Sequence, residues 1–309
     1  MNAARSRRAA AAALLASCAA LPARAEEPLA LRLRLQPGDA YQQTLVLRQA
    51  QSPIAVNPNA PDRTVHAAYT ITTLDRVQAG AGTAPAALHV SYERIQLDTK
   101  SGTRALQYDT DDTSLPADAE IRPLCEALKH AIGKTLVLAL DAQGRVTGVE
   151  TPPEIPSEMA SGSAIVSNPL GGIPGLLPNR PVKPGDKWTN ASPFDLPVPK
   201  GKALLTLKVE NELKAVEGAG DDRCAVIVSQ AVIESRAPAA GSPPPAPWVV
   251  GGSGQFTSRF HLARGVVTKT EGVIAMVIRP EPESTAPGLR KIMTRQEIAI
   301  TLEPAPAGK

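Results

Sequence analysis

Thr64-Val65-His66-Ala67-Ala68-Tyr69-Thr70-Ile71 decides the fold class. Val65, Ala67, Tyr69 and Ile71 fall at every second position, and successive side chains of an extended chain point to opposite faces. The stretch is therefore a half-buried strand, and the pattern carries it from Thr64 to Val77. The same period-2 alternation recurs in both directions along the chain. It marks strands at Leu31-Arg32-Leu33-Arg34-Leu35, Tyr41–Gln49, Leu88–Leu97 and Arg104–Tyr108. Within Leu88–Leu97 the inward phase moves from Leu88, Val90 and Tyr92 to Ile95 and Leu97, which predicts a β-bulge. Further strands are predicted at Lys134–Leu140, Arg145–Val149, Ala203–Val216, Cys224–Ser235, Gln255–Leu262, Val266–Ile278 and Ile292–Leu302.

One segment breaks the alternation. Ile121, Leu124, Cys125, Leu128 and Ile132 lie at helical spacing and predict an amphipathic helix over residues 121–132. Pro123 suits a first helical turn, and Gly133 suits the stop. The expected fold is mainly β with minor α: long, curved antiparallel strands and this single helix.

Proline and glycine divide the chain. Residues 151–200 are dense in both and read as a connector, with helical turns near Glu158–Val166, between a first β-rich half (26–150) and a second (201–309). The halves echo each other. Pro37-Gly38-Asp39-Ala40-Tyr41 returns as Pro184-Gly185-Asp186-Lys187-Trp188, each before long strands, and each half ends in a glycine-turn hairpin, at Gly144 and Gly265. Proline presets φ for a turn, glycine supplies positive φ, and aspartate binds local amides, so the motif builds a corner. The insert Pro238–Gly252, with Pro243-Pro244-Pro245, reads as an exposed loop carrying Trp248.

Residues 1–25 have the layout of an export signal: Arg5, Arg7 and Arg8, an apolar run from Ala9 to Ala16, then small residues. Two processing sites compete. Ala23-Arg24-Ala25 is a small-x-small cleavage site, while Leu15-Ala16-Ser17-Cys18 resembles a lipobox in which Cys18 becomes the lipidated first residue (signal 1–17). The expected location is the periplasm, or the outer membrane as a lipoprotein. No segment is apolar enough to span a membrane as a helix, so anchoring would depend on a lipid at Cys18.

Charge excludes one class of partner. The chain has 33 basic and 30 acidic residues, but residues 1–25 hold four of the arginines and no acid. The remainder is nearly neutral and offers no electrostatic footprint for nucleic acid. Aromatic residues are only 3%, too few for a stacking surface. Beyond Cys18 the cysteines are Cys125 and Cys224. In an oxidising compartment they either form a disulfide, worth about 4–5 kcal/mol for a loop of roughly 100 residues, or remain buried thiols.

The stretch Pro181-Val182-Lys183-Pro184-Gly185-Asp186-Lys187-Trp188 resembles the Pro-Val-x-x-Gly-Asp-x-Trp motif of a family of exported bacterial β-rich proteins, a domain of unknown function. The early Pro37–Tyr41 motif and the Gly133-Lys134-Thr135 strand, followed by Asp141-x-x-Gly144-Arg145-Val146, fit the same pattern. The likeness implies no activity. More distantly, long strands curling over a helix resemble the half-barrels of periplasmic lipoprotein and lipid carriers, a likeness of fold alone.

No catalytic, cofactor or metal pattern emerges. His66, His89, His130 and His261 share no ligand spacing, although strand pairing could bring His66 to His89. Asp109, Asp111 and Asp112 lack the glycine and distal glutamate of a calcium loop. Gly251-Gly252-Ser253-Gly254-Gln255 misses the nucleophile elbow by its last residue. The expected function is non-catalytic: binding of a lipid, lipoprotein or other apolar ligand on the apolar face of the sheet. The alternative is a structural or protein-interaction module of the envelope, contacting partners through the Pro238–Gly252 loop.

Overall fold

A computed structural model of the protein describes residues 27–53, 64–79, 87–119, 121–140, 146–153, 155, 173, 175–198, 201–237, 248–280 and 291–306. The expected signal segment with Cys18, the expected Asp141–Gly144 turn, the helical turns expected near 158–166 and most of the proline-rich insert lie outside them.

The described chain is mainly β: twelve strands in one curved antiparallel sheet, and one α-helix. The strands are β1 (Ala40–Pro53), β2 (Val65–Gln78), β3 (Ala87–Ser101), β4 (Arg104–Asp109), β5 (Thr135–Leu140), β6 (Val146–Glu150), β7 (Lys187–Val198), β8 (Gly201–Glu217), β9 (Cys224–Ser235), β10 (Trp248–His261), β11 (Val266–Pro280) and β12 (Ile292–Pro304). Helix α1 spans Arg122–Ala131. The sheet order is β6-β5-β3-β2-β1-β12-β11-β10-β9-β8-β7, with β4 beside β3. The halves therefore share one sheet, joined where β1 pairs β12 from Tyr41↔Pro304 to Pro53↔Ile292.

β3 explains where the helix sits. One edge of β3 serves two strands in succession: Ala87–Ser91 pair with β5, and Gln96–Ser101 pair with β4. The chain leaves that edge after β4, forms α1, and returns as β5. Cys125, Leu128 and Ala131 turn inward against Leu88, Val90, Ile95 and Leu136 to make the first core. The Gly133 N–H donates to Tyr92 O (2.9 Å), and Tyr92 N–H donates to Lys134 O (3.3 Å), which pins the helix end to β3. The predicted bulge lies beside this point. Thr72 pairs Arg94 and Thr73 pairs Tyr92, so Glu93 is the extra residue, and Tyr92 and Ile95 both face inward.

The two Pro-Gly-Asp corners have one hydrogen-bond pattern. Asp39 N–H donates to Gln36 O and Asp186 N–H to Lys183 O, both at 2.9 Å. The aspartate carboxylates accept the Gln36 and Lys183 N–H groups at 2.9 and 3.0 Å. Gly38 and Gly185 adopt φ of 98° and 89°, the left-handed region that the third position of a type II turn requires.

Several expectations need correction. Leu31–Leu35 keeps its alternation, with Leu31 1% exposed and Arg32 exposed, but forms no strand. β1 already has both edges paired, and only Leu29 bridges, to Val182. Leu124 is 43% exposed, so the inward stripe of α1 is narrower than its apolar residues suggest. β7 occupies residues 187–198, inside the stretch read as connector. β10 starts at Trp248, which is buried rather than displayed on a loop.

The edges at β7 and β6 are protected. Pro193 and Pro197 remove amide donors from β7, and the Arg180 guanidinium covers Lys187 O (3.3 Å). β6 is five residues long and carries a register shift.

Candidate functional site

The inner face of the second half is the candidate site, and strand register defines it. On β8, Ala203, Leu205, Leu207 and Val209 face inward. β9 adds Ala231 and Ile233, β10 adds Val250 and Phe256, and β11 adds Ile274. These side chains are buried. Phe194 and Leu196 on edge strand β7, with Met276, Ile278 and Ile298, are only partly buried and form the rim. The result is an aliphatic trough. Gly272 lets it pack: a Cβ there would run into the Phe256 ring and the Gln255 carbonyl. Along β1 and β12 the trough meets a polar shoulder, where Gln296 Nε2 donates to Gln49 Oε1 (3.5 Å).

Polar side chains form its floor. The inward series reads Val209-Asn211-Leu213 on β8, Ala231-Ser229-Ile227 on β9 and Phe256-Ser258-Phe260 on β10, each with one buried polar residue between apolar ones. Ser229 Oγ donates to Asn211 Oδ1 (2.7 Å), and Asn211 Nδ2 donates to Gly175 O (3.1 Å). Ser258 and Thr270 hydroxyls bond each other at 2.9 Å. Ile300 and Leu302 interrupt the row on β12, and beyond them further buried polar side chains stand at Gln43 on β1 and Thr73 and Asp75 on β2. In the second half the row separates the trough from a lower core of Leu31, Leu176, Val182, Leu213, Ile227 and Phe260.

The outer face is charged. Lys208 pairs Glu234 (2.6 Å), Lys269 pairs Glu271 (2.9 Å), and Arg259 pairs Glu217 (3.0 Å). A barrel embedded in lipid presents an apolar band outward and polar residues inward; this sheet does the reverse. No helix among the described residues is long and apolar enough to cross a membrane. Two open depressions lie elsewhere, about 480 Å³ at the Pro37–Asp39 corner and about 240 Å³ on the outer face around Val46 and Val273. The trough's buried side chains form one cluster, with its rim packed against them.

The residues singled out in the sequence do not assemble into a catalytic centre. His66 pairs Lys100 while His89 pairs Arg76, so the two histidines stand about ten residues, roughly 33 Å, apart along β2 and β3. His261 is buried, and its Nδ1 accepts the Arg264 N–H (3.3 Å). Asp109 surrounds itself with donors: the Arg94 guanidinium, Gln96 Nε2 (2.9 Å) and the Asp111 N–H (3.0 Å). The Arg94 bond in particular holds its carboxyl well below the usual carboxylate range. Among the described residues no cluster of three metal-ligating side chains occurs. Gly251–Gln255 lie inside β10.

Cys125 and Cys224 are both free in this structure. Cys125 lies in the first core on α1, whereas Cys224 opens β9 in the second half, and burial raises both thiols. Of the turn motif, Pro184, Gly185 and Asp186 form the second corner. Trp188 lies beyond it on β7, its Nε1–H donating to Leu176 O (3.0 Å). Asp75 and Gln43 were missed by the sequence reading. The signal was present, because Asp75 stands in the same phase as Tyr69 and Ile71, an acid on the apolar face.

No family model matches the chain, and no curated protein matches it. Among solved structures it is similar to lipovitellin, described for its lipid–protein interactions: TM-score 0.46, 10% identity, 89% of this chain and 26% of that one. An outer-membrane channel from Pseudomonas putida F1 follows at TM-score 0.21 and 7% identity, covering 90% of this chain and 99% of the channel. A BenF-like porin from Pseudomonas fluorescens Pf-5 gives TM-score 0.22 and 6% identity, covering 88% of this chain and 100% of the porin. The chain thus spans about a quarter of the lipovitellin chain, and likenesses this remote carry no argument about ligand or location.

Proposed function

We propose that the protein is an exported, non-catalytic carrier of the cell envelope that binds a lipid, or the acyl chain of a lipoprotein, in the trough of its second half. One observation carries the reading: an aliphatic inner face with a half-buried rim of Phe194, Leu196, Met276, Ile278 and Ile298, inside a sheet whose outer face is ion-paired. Aliphatic walls suit acyl chains because their burial is non-directional and scales with area. The ligand enters by displacing rim side chains. The Gln49–Gln296 shoulder offers its polar end a hydrogen-bonding partner. Export rests on residues 1–25, and the choice between cleavage after Ala25 and lipidation at Cys18 sets whether the carrier is soluble or anchored. The interaction-module alternative loses its named anchor, since Trp248 is buried.

Native mass spectrometry of the protein isolated from its host's envelope tests this reading. A reproducible lipid-sized adduct that disappears in Met276→Glu, with melting unchanged, is the expected result. A bare chain, or an adduct that survives the substitution, overturns it. The mass of the chain itself distinguishes residues 26–309 from an acylated chain beginning at Cys18.

A further inference from the structure

Among the described residues, two buried acceptors on the inner face of β1 and β2 have no donor, Asp75 Oδ2 and Gln43 Oε1. Asp75 is 0% and Gln43 2% exposed. In the β1–β2 register Gln43 stands opposite Thr73 and Asp75 opposite Tyr41, so Gln43 and Asp75 are diagonal neighbours on one face. Long side chains reach each other across that diagonal. The other carboxyl oxygen of Asp75 accepts the Thr73 hydroxyl (2.8 Å).

Among the described residues no cation faces the pair. β1 presents Tyr41 and Gln43, β3 presents Val90 and Tyr92, and β2 itself presents Thr73 and Val77. The charged and titratable groups nearby are engaged or turned away. Asp39 takes the Tyr41 hydroxyl, and Arg264 acts on Tyr41. Arg34 lies against Gly265. Arg76 and His89 pair on the opposite face, where Glu93 accepts from Gln42 Nε2 (3.1 Å). An ionised carboxylate in such a place costs several kcal/mol, and it would leave both acceptors orphaned. A single proton satisfies both.

We propose that Asp75 is held as a neutral carboxylic acid whose Oδ2–H donates to Gln43 Oε1, and that loss of this proton loosens the β1–β2 corner. Burial pushes the Asp75 carboxyl up to about 7, opposed by the Thr73 hydroxyl. Between the ordinary carboxylate range and that value the folded chain binds one proton more than the unfolded chain. Stability therefore falls as pH rises through this window and levels off above it. β1 is also the strand through which the two halves share a sheet, so the proton acts on their seam.

The test compares the mature wild-type chain with Asp75→Asn between about pH 5 and pH 8. Asparagine has nearly the same shape and donates Nδ2–H to Gln43 at every pH. Wild type should melt lower as pH rises, with smaller amide protection factors at residues 41–45 and 73–77, and Asp75→Asn should lose that dependence. Infrared spectra should show a neutral carboxylic C=O band at low pH in wild type that is absent in Asp75→Asn. Equal pH slopes in the two proteins, or no such band in wild type, would overturn the proposal. If Asp75→Asn does not fold, Gln43→Leu decides: the band should persist at a shifted frequency, and an unshifted band refutes the pairing.

Discussion

Gly38 and Gly185 donate the same hydrogen bond at equivalent corners of the two halves: Gly38 N–H to Val77 O at 3.0 Å, and Gly185 N–H to Leu213 O at 2.7 Å. Val77 and Leu213 return it, donating to Asp39 O (2.9 Å) and Asp186 O (3.1 Å). In each case a strand is locked to the far end of the next strand before the first regular ladder pair forms. Tyr41 then faces Asp75, and Trp188 faces Asn211, so each corner delivers an aromatic ring and a buried polar partner to the inner face. The two corners are one local structure used twice.

Replacing either glycine with alanine should cost about 1–2 kcal/mol, because a Cβ penalises the left-handed region. A Cβ at either position meets nothing within 4 Å, so the penalty is one of backbone strain. The two substitutions lie in separate corners, so urea unfolding of the double variant should return nearly the sum of the single losses. A loss confined to one corner would show that the corners are not energetically equivalent.

The helix offers a sharper contrast. Leu128 is 3% exposed and Leu124 43%. Leu128→Asp places an unpaired charge in the first core and should cost several kcal/mol or prevent folding, whereas Leu124→Asp should stay within about 0.5 kcal/mol. Thermal melts of the two variants give the comparison directly. Equal effects would mean that α1 is not packed as described.

The helix also shows how far a sequence can be read. Its periodicity located it to within a residue at each end, and the phase change placed a bulge between Tyr92 and Ile95, where the register makes Glu93 the extra residue. Both signals are local. Leu124 belongs to the same apolar spacing, yet its exposure depends on how wide a stripe β3 and β5 cover, which no local pattern contains. Leu31–Leu35 alternates like a strand, but a strand also needs a free partner edge, and β1 had none. Trp248 was misplaced because the prolines before it suggested a loop, whereas β10 begins at the tryptophan itself. The trough was legible as alternating Leu, Ile and Val. Its floor was not, since Asn211, Ser229 and Ser258 look individually like ordinary strand polar residues until register aligns them.

On the acid side, stability should depend on Asp109. Arg94 and the other donors hold its carboxyl below the usual range, so this contribution is present above about pH 4 and is lost as pH falls through the lowered value. Arg94→Ala should move the Asp109 titration, followed by NMR, back toward the ordinary range and flatten the acid limb of the stability curve. The change at neutral pH should be small, because the Arg94 side chain is 47% exposed.

Thiol reactivity tests whether the two cysteines are bridged. Cys125 is fully buried and Cys224 half-buried, and burial raises both. Under native conditions alkylation should therefore be slow at Cys224 and slower still at Cys125. In denaturant without reductant, mass spectrometry of residues 26–309 should find both alkylated. An unalkylated pair would mean that the protein is oxidised in its compartment and that α1 shifts to meet β9.

The last prediction concerns β7. An unpaired strand edge is a template for another chain, and β7 is twelve residues long with an apolar inner face that includes Phe194 and Leu196. Pro193 offers no amide there, and Arg180 covers the carbonyl of Lys187. Pro193→Thr restores a donor at an exposed position that already pairs Thr206, in a residue suited to strands. Thermal stability should change little. Self-association measured by light scattering should rise with concentration, and adding Arg180→Ala should raise it further by freeing the Lys187 carbonyl. A Pro193→Thr/Arg180→Ala chain that stays monomeric would mean that the prolines serve the shape of the strand rather than guard its edge.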